Sequence, residues 1–391
     1  MLLVCAGDPS GDAIAARAVE AWRRVHPGDA VEGFGGPALA SAGLSTLRVP
    51  VLRWPFPSPT GIVEPLRAVP SLLACAGALL ARASRRDTRA ALLVDLPEFN
   101  LPLGRLLRAL GVPVVQFVAP QTWAWRPGRN ASLRDSCDVL AVILPFEEPY
   151  FRAAGIDARF VGHPLVERLG PLTPPLAPAA DRALRLALLP GSRPERVRHV
   201  LPALLAGAAE VARRGRLSAV TVSRAPTVDR AVVDRLVASA GLSVAVTVEE
   251  RPPLQWLCPP SDLSTFDFRL STSSTPAAQV WVAAGTGSLE VAALGIPACV
   301  AYRTGRIGWA AARRLVHGRF AGLPNRLLER EALPERIQDG LMPGALAETF
   351  DDLRRPESFA RAAAAALELR QLLGEAGFAE RVARLLDEVA R

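Results

Sequence analysis

Short apolar runs alternate with longer amphipathic segments along the chain, and this alternation predicts an α/β fold built on parallel sheets. The run Leu2–Ala6 is apolar at every position, as expected of a strand that is buried on both faces. Further strands are predicted at 90–95, 112–118, 139–144, 159–161, 184–189, 218–223, 244–248 and 279–283. Helices are predicted at 11–25, 64–85, 101–110, 197–213 and 228–239, and helical structure is expected from residue 345 to the end.

Two domains are expected, because 391 residues exceed what one ordinary core organises. Four prolines between residues 171 and 178 precede the second half and indicate a stiff connector. The sequence therefore predicts a Rossmann-like domain over 1–170, a second over 171–344, and C-terminal helices over 345–391 that pack back across the domains. Two other proline-rich stretches, 49–60 and 251–276, are predicted to be a loop and an irregular excursion.

One predicted strand, 184–189, ends at a glycine turn. Gly191 and Ser192 follow Pro190, and Arg193 comes directly after them. A loop of this kind between a strand and a helix points backbone N–H groups, a small hydroxyl and a cation at one spot. That combination suits a phosphate or a diphosphate.

A second glycine loop follows the predicted strand 279–283. Two glycines that permit close backbone approach alternate with two hydroxyl residues: Gly285, Thr286, Gly287 and Ser288. Glu290 is expected in the first turn of the next helix, where its carboxylate either accepts hydrogen bonds from ribose hydroxyls or merely complements the helix dipole. If the two glycine loops follow neighbouring strands of one sheet, they lie side by side, and together they predict a binding site for uridine diphosphate.

The first half carries candidate residues at its own predicted strand ends. Asp95 ends the strand 90–95, where α/β clefts bind substrate. It is either a general base with a pKa raised by burial or a cap for the following turn. Weaker candidates on the acceptor side are Ser10, Gly11, Asp12, Trp123, Arg126 and His163. Tryptophans near a strand end and single histidines are also typical of packing and structural roles, and the residues alone leave this open.

The net charge is +8, and all 46 basic residues are arginine. This bias reflects either a GC-rich genome or a surface that attracts anionic lipid or phosphate groups. No basic run is interleaved with aromatic residues, so nucleic acid is not expected as a partner. Five widely spaced cysteines without a C-x-x-C pair, and only four histidines, argue for a reducing compartment and against a metal site.

The most apolar stretch, 68–83, is shorter than the roughly 20 residues that span a bilayer. It is predicted to be a buried helix, with a helix that dips into a membrane surface as the alternative. The N-terminus shows neither the basic segment nor the long apolar segment of an export signal. The sequence thus predicts a cytoplasmic protein that touches a membrane face.

Ordered motifs through most of the chain resemble the lipid-A-disaccharide synthases, a family of glycosyltransferases. In the first half they are AGDPSGD (6–12), GFGGPALASAGL (33–44), GIVE (61–64), VDLPEFN (94–100), WAWR (123–126), ILPFE (143–147) and RFVGHPL (159–165). In the second half they are LLPGSR (188–193), GTGSLE (285–290), AYR (301–303) and GLPNRL (322–327). So many matches in order are far more specific than one glycine motif.

The resemblance implies the GT-B fold, in which two Rossmann-like domains with parallel sheets face a central cleft. It implies an inverting hexosyltransferase that moves 2,3-diacylglucosamine from its UDP conjugate to the 6′-hydroxyl of 2,3-diacylglucosamine 1-phosphate. The products are a β-1,6 disaccharide 1-phosphate and UDP. By position, Asp95 matches the family's general base and Arg193 its diphosphate-binding arginine. Glu290 matches the ribose ligand and Asn325 an essential cleft asparagine.

No cofactor and no metal is expected, because Arg193 and two helix N-termini can stabilise the leaving group and the sequence contains no Asp-x-Asp pair. The resemblance also implies a peripheral position at the anionic inner face of the cytoplasmic membrane. A homodimer is a further expectation.

Several residues depart from the family pattern. Asp8 and Pro9 stand where Glu-Ala is usual, Glu98 replaces an aspartate, and Arg196 occupies a position that is usually glutamate. These departures leave two alternatives open. One is a GT-B enzyme that uses UDP-N-acetylglucosamine with another acceptor, or as an epimerase. The other is a non-catalytic protein that binds UDP-sugar or lipid, and the four retained family residues named above argue against it.

Overall fold

Two parallel sheets organise the chain, one in each of two units. The computed structural model describes residues 1–49, 54–56, 63–172, 183–257, 278–315 and 318–391. Unit 1 comprises Met1–Glu167 and Leu373–Arg391, and unit 2 comprises Arg168–Leu372. Most of the predicted proline-rich loop, the connector and the irregular excursion lies outside the described residues, as do Gly61 and Ile62 of the GIVE motif.

The sheet of unit 1 is parallel throughout. Its strands are β1 (Leu2–Ala6), β2 (Val31–Phe34), β3 (Ser45–Thr46), β4 (Ala90–Val94), β5 (Val114–Phe117), β6 (Val139–Val142) and β7 (Ala158–Phe160). They lie in the order β3-β2-β1-β4-β5-β6-β7. Every residue of β1 and β4 is buried, because helices cover both faces of a parallel sheet.

Helices connect these strands. They are α1 (Pro9–Val25), α2 (Pro37–Ser41), α3 (Val63–Ala83), α4 (Pro97–Ala109), α5 (Asn130–Arg134) and α6 (Glu147–Ala153). Proline is the first residue of α1, α2 and α4, where its missing N–H costs nothing. For this reason α4 begins four residues earlier than the apolar pattern predicts.

Unit 2 repeats the same alternation. Its strands are β8 (Leu184–Leu189), β9 (Leu217–Ser223), β10 (Ala245–Glu249), β11 (Gln279–Ala283), β12 (Ala298–Tyr302) and β13 (Glu335–Ile337). They form a parallel sheet in the order β10-β9-β8-β11-β12-β13. Its helices are α7 (Pro194–Arg213), α8 (Arg230–Ser239), α9 (Pro253–Leu257), α10 (Thr286–Ala293), α11 (Arg306–Leu315), α12 (Leu323–Leu327), α13 (Pro343–Leu353) and α14 (Pro356–Leu372).

The last helix, α15 (Phe378–Val389), belongs to unit 1. Val382 and Leu386 are fully buried in the core on the α1 side of that sheet. Phe378 stacks on Phe117 of β5 with ring centroids 6.0 Å apart. The C-terminal helices are therefore shared between the units, with α13 and α14 in unit 2 and α15 in unit 1.

Every strand that the sequence predicts is present, with ends displaced by two residues at most. The strands β2, β3, β12 and β13 are not predicted. The strand β2 is short and contains Gly33 at φ +150°, where a Cβ would lie 1.9 Å from the carbonyl oxygen of Val4. The strand β12 is not evident from the apolar pattern because the helix before it, α10, is only eight residues long and is buried on almost all sides. No polar face separates the two elements along the sequence.

The predicted apolar stretch 68–83 forms most of α3. Cys75 and Leu79 are buried against the sheet, whereas Val69 and Leu73 are 43% and 67% exposed. Across the parts of the chain that the structure describes, no helix is long and apolar enough to span a bilayer.

The strand order of each sheet reverses beside its first strand. In unit 1, β1 lies between β2 and β4, and in unit 2, β8 lies between β9 and β11. The connections on the two sides of such a point leave on opposite faces, so a crevice opens at the carboxyl ends of the two central strands. Both crevices carry residues that the sequence singles out.

Candidate functional site

Two glycine loops lie side by side at the carboxyl edge of the sheet in unit 2. Leu189 of β8 pairs with Val282 of β11, so the loops that follow these strands leave the sheet together. Gly191 and Gly285 have φ angles of +99° and +147°, which residues with a Cβ rarely adopt. The helices α7 and α10 begin directly after the loops and direct their positive N-terminal ends to the same edge. The structure thus brings together the two loops that the sequence predicts.

The first loop presents exposed polar groups. Arg193 is the N-cap residue of α7 in extended conformation, and its side chain is exposed, as is that of Ser192. The carbonyl of Ser192 accepts a hydrogen bond from the hydroxyl of Thr227 at 2.5 Å, which holds the loop against the next loop along the edge. The arginine guanidinium is therefore free to meet an anion at the end of α7.

The two hydroxyl groups of the second loop differ in their accessibility. Ser288 is fully buried and its hydroxyl donates to the carbonyl of Gly285 at 2.6 Å, so it shapes the loop. Thr286 is exposed at the first helical position, beside the backbone of Gly287. The hydroxyl of Thr286 remains accessible to a ligand, whereas that of Ser288 does not.

Glu290 is the fifth residue of α10 and lies in its second turn, not in the first as the sequence suggests. One carboxylate oxygen accepts a hydrogen bond from Arg168 at 3.1 Å. Burial raises the pKa of Glu290, and the Arg168 guanidinium partly counteracts this rise. A position one turn beyond the helix start gives little compensation of the dipole, which weakens the purely local explanation for this carboxylate.

Asn325 lies on α12 and is fully buried. Its Nδ2 donates to the carbonyl of Leu333 at 2.6 Å and to Glu335 Oε1 at 2.8 Å. Its Oδ1 accepts from the backbone N–H groups of Ala332 and Leu333, both at 2.8 Å. All four hydrogen-bonding positions of the amide are thus occupied by the protein. The structure makes Asn325 a clamp for the segment after α12.

Arg196, the third residue of α7, is a residue of this edge that the sequence marks only as a departure. Its Nη1 donates to the carbonyl of Ala284 at 2.6 Å, and its Cζ lies 5.9 Å from the ring centroid of Tyr302. Burial and the charge of nearby Arg193 lower the pKa of Arg196.

In unit 1, the loop after β1 is held by its own carboxylates. Asp8 caps α1 by accepting from the N–H of Gly11 at 3.1 Å and from the hydroxyl of Ser10. Asp12 is buried and its oxygens accept from three backbone N–H groups at the start of α2, at 2.7, 2.9 and 3.3 Å. Asp12 therefore joins α1 to α2, and Ser10, the second residue of α1, is exposed.

Asp95 follows β4 in a turn with unusual backbone geometry. Asp95 and Leu96 have φ angles of +49° and +48°, which for residues other than glycine cost about 1–3 kcal/mol each. The buried amides of Asn100 and Gln116 hold this turn by donating to the Asp95 carbonyl at 2.8 and 3.1 Å. Such strain is typical of functional positions, because the surroundings impose it in order to aim a side chain.

Trp123 is held by a buried carboxylate. Its Nε1 donates to Glu147 Oε1 at 3.0 Å, and its ring packs edge-to-face on Phe146. The other oxygen of Glu147 accepts from the N–H of Leu144 at 3.1 Å. Burial raises the pKa of Glu147 to about 7, against the opposing effect of these hydrogen bonds.

Two weaker candidates occupy the same unit. Arg126 has a φ of +57° and lies over the ring of the half-exposed Trp125, with its Cζ 4.3 Å from the ring centroid. The Nδ1 of His163 accepts from the N–H of Leu165 at 3.0 Å, and the N–H of His163 donates to the carbonyl of Leu373. His163 thus stabilises the end of unit 1 where α15 returns.

Several residues that complete these edges carry weak signals in the sequence. Arg168, Asn100 and Gln116 are ordinary polar residues until the fold places them beside Glu290 and Asp95. Glu147 lies within the ILPFE motif, but nothing in that motif indicates its burial. In the described portion of the chain, no group of three or more His, Cys, Asp and Glu side chains is arranged to hold a metal ion.

Comparison with known proteins identifies a family for these features. A family model described as lipid-A-disaccharide synthetase matches residues 2–258 and 260–355. The chain is 36% identical over 401 residues to the lipid-A-disaccharide synthase of Anaeromyxobacter dehalogenans (strain 2CP-C), with 100% of this chain and 97% of the relative covered. It is 34% identical over 400 residues to that of Myxococcus xanthus (strain DK1622), with 99% and 97% covered.

Solved structures with low sequence identity share the fold. MurG from Acinetobacter baumannii superposes with a TM-score of 0.55 at 16% identity, covering 99% of each chain. The kitacinnamycin glycosyltransferase superposes with a TM-score of 0.57 at 16% identity, covering 100% of this chain and 98% of the other. The two parallel-sheet Rossmann-like units are thus those of the GT-B glycosyltransferases, as the sequence predicts.

Proposed function

The chain belongs to the lipid-A-disaccharide synthase family, and we propose how its own residues carry out the transfer that this family performs. Membership makes it a hexosyltransferase of lipid A disaccharide formation. For this chain we propose UDP-2,3-diacylglucosamine as the donor and 2,3-diacylglucosamine 1-phosphate as the acceptor. The products are the β-1,6 disaccharide 1-phosphate and UDP.

The observation that carries the proposal is the pair of glycine loops on β8 and β11. The resulting edge offers two helix N-termini and the exposed guanidinium of Arg193 to a diphosphate. As the bond between the sugar C1 and the diphosphate oxygen breaks, its electron pair leaves with UDP. Preorganised donors at this oxygen stabilise the developing charge, and the loss of one such donor costs about 10²–10³-fold in rate in other enzymes.

The nucleoside end of the donor is assigned to Glu290 and the exposed part of the second loop. An ionised carboxylate accepts hydrogen bonds from two vicinal ribose hydroxyls, and the half-buried position of Glu290 strengthens such bonds. Thr286, Gly285 and Gly287 contribute a hydroxyl and backbone N–H groups. Asn325 acts indirectly, by fixing the segment between α12 and β13.

Asp95 is proposed as the general base. Its carboxylate takes the proton of the acceptor 6′-hydroxyl while that oxygen forms its bond to C1, with inversion of configuration. A positioned base contributes about 10²–10⁴-fold. The strained turn supports this role, because Asn100 and Gln116 hold the backbone of Asp95 in place before the acceptor arrives. Ser10, Trp123, Arg126 and His163 remain proposals for the acceptor side.

A peripheral position at the anionic inner face of the cytoplasmic membrane is also proposed, because both substrates carry acyl chains. The exposed apolar side chains Val69 and Leu73 of α3 support it, together with the all-arginine positive charge. A homodimer remains a prediction.

The experiment that tests the function supplies both diacylated substrates to the purified chain and follows UDP release and the disaccharide 1-phosphate by mass spectrometry. A second reaction contains unacylated UDP-N-acetylglucosamine. Formation of the disaccharide with the first pair supports the proposal. Turnover confined to the unacylated nucleotide would establish the alternative enzyme, and UDP binding without any turnover would establish a non-catalytic protein.

A further inference from the structure

Arg196 lies against both glycine loops of unit 2. Its Nη1 donates to the carbonyl of Ala284, and the same atom lies 3.4 Å from the position that a Cβ on Gly285 would occupy. Its Cδ lies 3.2 Å from the corresponding position on Gly191. One side chain on α7 therefore reaches from the loop after β8 to the loop after β11.

The charge of Arg196 is not compensated within the described residues. Neither Arg196 nor Arg193 forms an ion pair there, and the two guanidiniums are close enough for Arg193 to lower the pKa of Arg196. By contrast, Arg82 of unit 1, which is buried, pairs with both Glu32 and Asp87. An arginine still carries its charge after such a lowering, since the ordinary value lies above 12. Two neighbouring cations without a counterion favour a ligand that brings more than one negative charge.

The remaining donors of Arg196 fit such a ligand. A guanidinium has five N–H donors in a planar fork, and the bond to Ala284 uses one of them. The Cζ of Arg196 also lies 5.9 Å from the ring centroid of Tyr302, and the guanidinium is partly buried, which strengthens charge-assisted hydrogen bonds. The residue is thus anchored at one nitrogen and partly desolvated, in a position between two loops that each precede a helix N-terminus.

We propose that Arg196 is a second ligand of the donor diphosphate, acting with Arg193, and that it makes the site of this chain prefer nucleoside diphosphates to monophosphates. The inference rests on the function proposed above, since it assigns a residue to the same nucleotide site. It differs from the role implied for Arg193, because the resemblance assigns no role to Arg196.

The alternative is a purely structural role, in which Arg196 only holds the loop after β11 through the Ala284 carbonyl. The two roles differ in their dependence on phosphate. Loss of a residue that only holds the loop in place weakens the affinity for every ligand of the loops, including uridine, which has no phosphates. Loss of a residue that binds the diphosphate weakens the affinity for UDP most, that for UMP less and that for uridine hardly at all.

The test uses the full chain with the substitution Arg196→Gln and isothermal titration with uridine, UMP and UDP. Glutamine removes the charge and keeps a side-chain N–H donor that is two bonds shorter than the arginine Nη1, so the uridine measurement reports any effect of a weakened contact with the Ala284 carbonyl. Arg198→Gln is the matched control, since Arg198 is an exposed arginine on the same helix. We expect Arg196→Gln to weaken UDP binding by about 10–100-fold and uridine binding by less than about twofold, with the control unchanged for all three ligands.

An equal loss of affinity for uridine, UMP and UDP would overturn the proposal and favour a purely structural role. An unchanged affinity for UDP would also overturn the proposal. Thermal unfolding of each variant checks folding. If Arg196→Gln is unstable, Arg196→Lys keeps the charge and is expected to retain the preference for UDP over UMP; loss of that preference in a folded Lys variant would count against the role. Absence of UDP binding by the unmodified chain would overturn the proposed function itself, and is thereby distinguishable from failure of the Arg196 assignment.

Discussion

Arg168 donates a hydrogen bond to the carboxylate of Glu290 at 3.1 Å. The side chain of Arg168 is 51% exposed and that of Glu290 is 20% exposed, so solvent reaches both members of the pair. A ribose that binds Glu290 must share this carboxylate with Arg168 or displace it. The pair therefore sets the protonation state in which Glu290 meets the nucleotide.

The pH dependence of nucleoside binding is expected to report this pair. Burial raises the pKa of Glu290 and Arg168 lowers it, so Arg168→Gln raises it further. Ribose hydroxyls donate to the ionised carboxylate, so uridine affinity falls as pH decreases through a range above the usual glutamate value of about 4.3. In Arg168→Gln this fall begins at higher pH. Calorimetry with uridine measures it, since uridine carries no phosphate to titrate. Glu290→Gln is the control that removes the dependence, and identical profiles for all three proteins would contradict the assignment.

The buried carboxylate of Glu147 is expected to make stability depend on pH. Its pKa is raised to about 7 in the folded chain, against about 4.3 unfolded. As pH rises, Glu147 therefore loses its proton at a lower pH in the unfolded chain than in the folded chain. The stability associated with protonated Glu147 is fully present below about pH 4 and is lost as pH rises through about 7. Glu147→Gln removes this component, so the difference in free energy of unfolding between wild type and variant changes with pH by up to about 3 kcal/mol.

Urea denaturation of both proteins between pH 5 and 8.5 measures the Glu147 effect. Trp123→Phe is an informative second variant, because it keeps the ring and removes the N–H that donates to Glu147. Without this donor the pKa of Glu147 rises, and the pH-dependent loss shifts to higher pH. Parallel stability curves for wild type and Glu147→Gln would show that Glu147 does not titrate in this range.

Asp95→Asn is expected to abolish transfer with little effect on nucleotide binding. The amide cannot accept the proton of the acceptor hydroxyl, so turnover falls by about 10²–10⁴-fold. UDP affinity, measured by calorimetry, should remain within about twofold, since a base acts only on the acceptor. Glu98→Gln is the matched control: it removes an exposed carboxylate three residues away that pairs with Arg129. Equal loss of UDP affinity in Asp95→Asn would mean that Asp95 binds the nucleotide instead.

Asn325→Ala is expected to act through stability. Removal of the amide leaves the N–H groups of Ala332 and Leu333 without their acceptor and the carbonyl of Leu333 without the Asn325 donor. The carboxylate of Glu335 loses one donor and keeps the backbone N–H groups of Ala321 and Gly322. Buried groups that lose a partner cost about 1–3 kcal/mol each, so the free energy of unfolding should fall by about 2–4 kcal/mol. Urea denaturation measures this change. An unchanged stability with reduced UDP affinity would instead favour direct contact between Asn325 and the nucleotide.

Leu73→Ser is expected to weaken binding to membranes. Leu73 is 67% exposed on α3, and burial of a leucine side chain in lipid contributes about 1.5–3 kcal/mol, or roughly tenfold or more in partition coefficient. Cosedimentation with vesicles of phosphatidylcholine and phosphatidylglycerol in equal parts measures it. Leu367→Ser is the control, since Leu367 is 56% exposed on α14. An equal effect of both substitutions would show that α3 is not the contact surface.

Much of the fold follows from periodicity alone. Strands such as β1, β8 and β11 are mostly apolar runs followed within two residues by glycine or proline, and their ends agree with the prediction. The strand β2 was not predictable in this way, because its Gly33 is required by contact with Val4 on the neighbouring strand. The strand β12 was hidden by the all-round burial of α10, which removes the amphipathic signal that distinguishes a helix.

The sequence by itself determined the α/β class, the two glycine loops and the candidates Asp95, Arg193 and Glu290, because these depend on local patterns of apolar, glycine and charged residues. Only the tertiary structure decided what surrounds them. The pairing of β8 with β11 brings the loops together, Arg168 meets Glu290 across 122 positions of sequence, and Asn325 turns inward to four partners. Hydrogen bonds and burial depend on distances in space, and a linear pattern does not contain those distances.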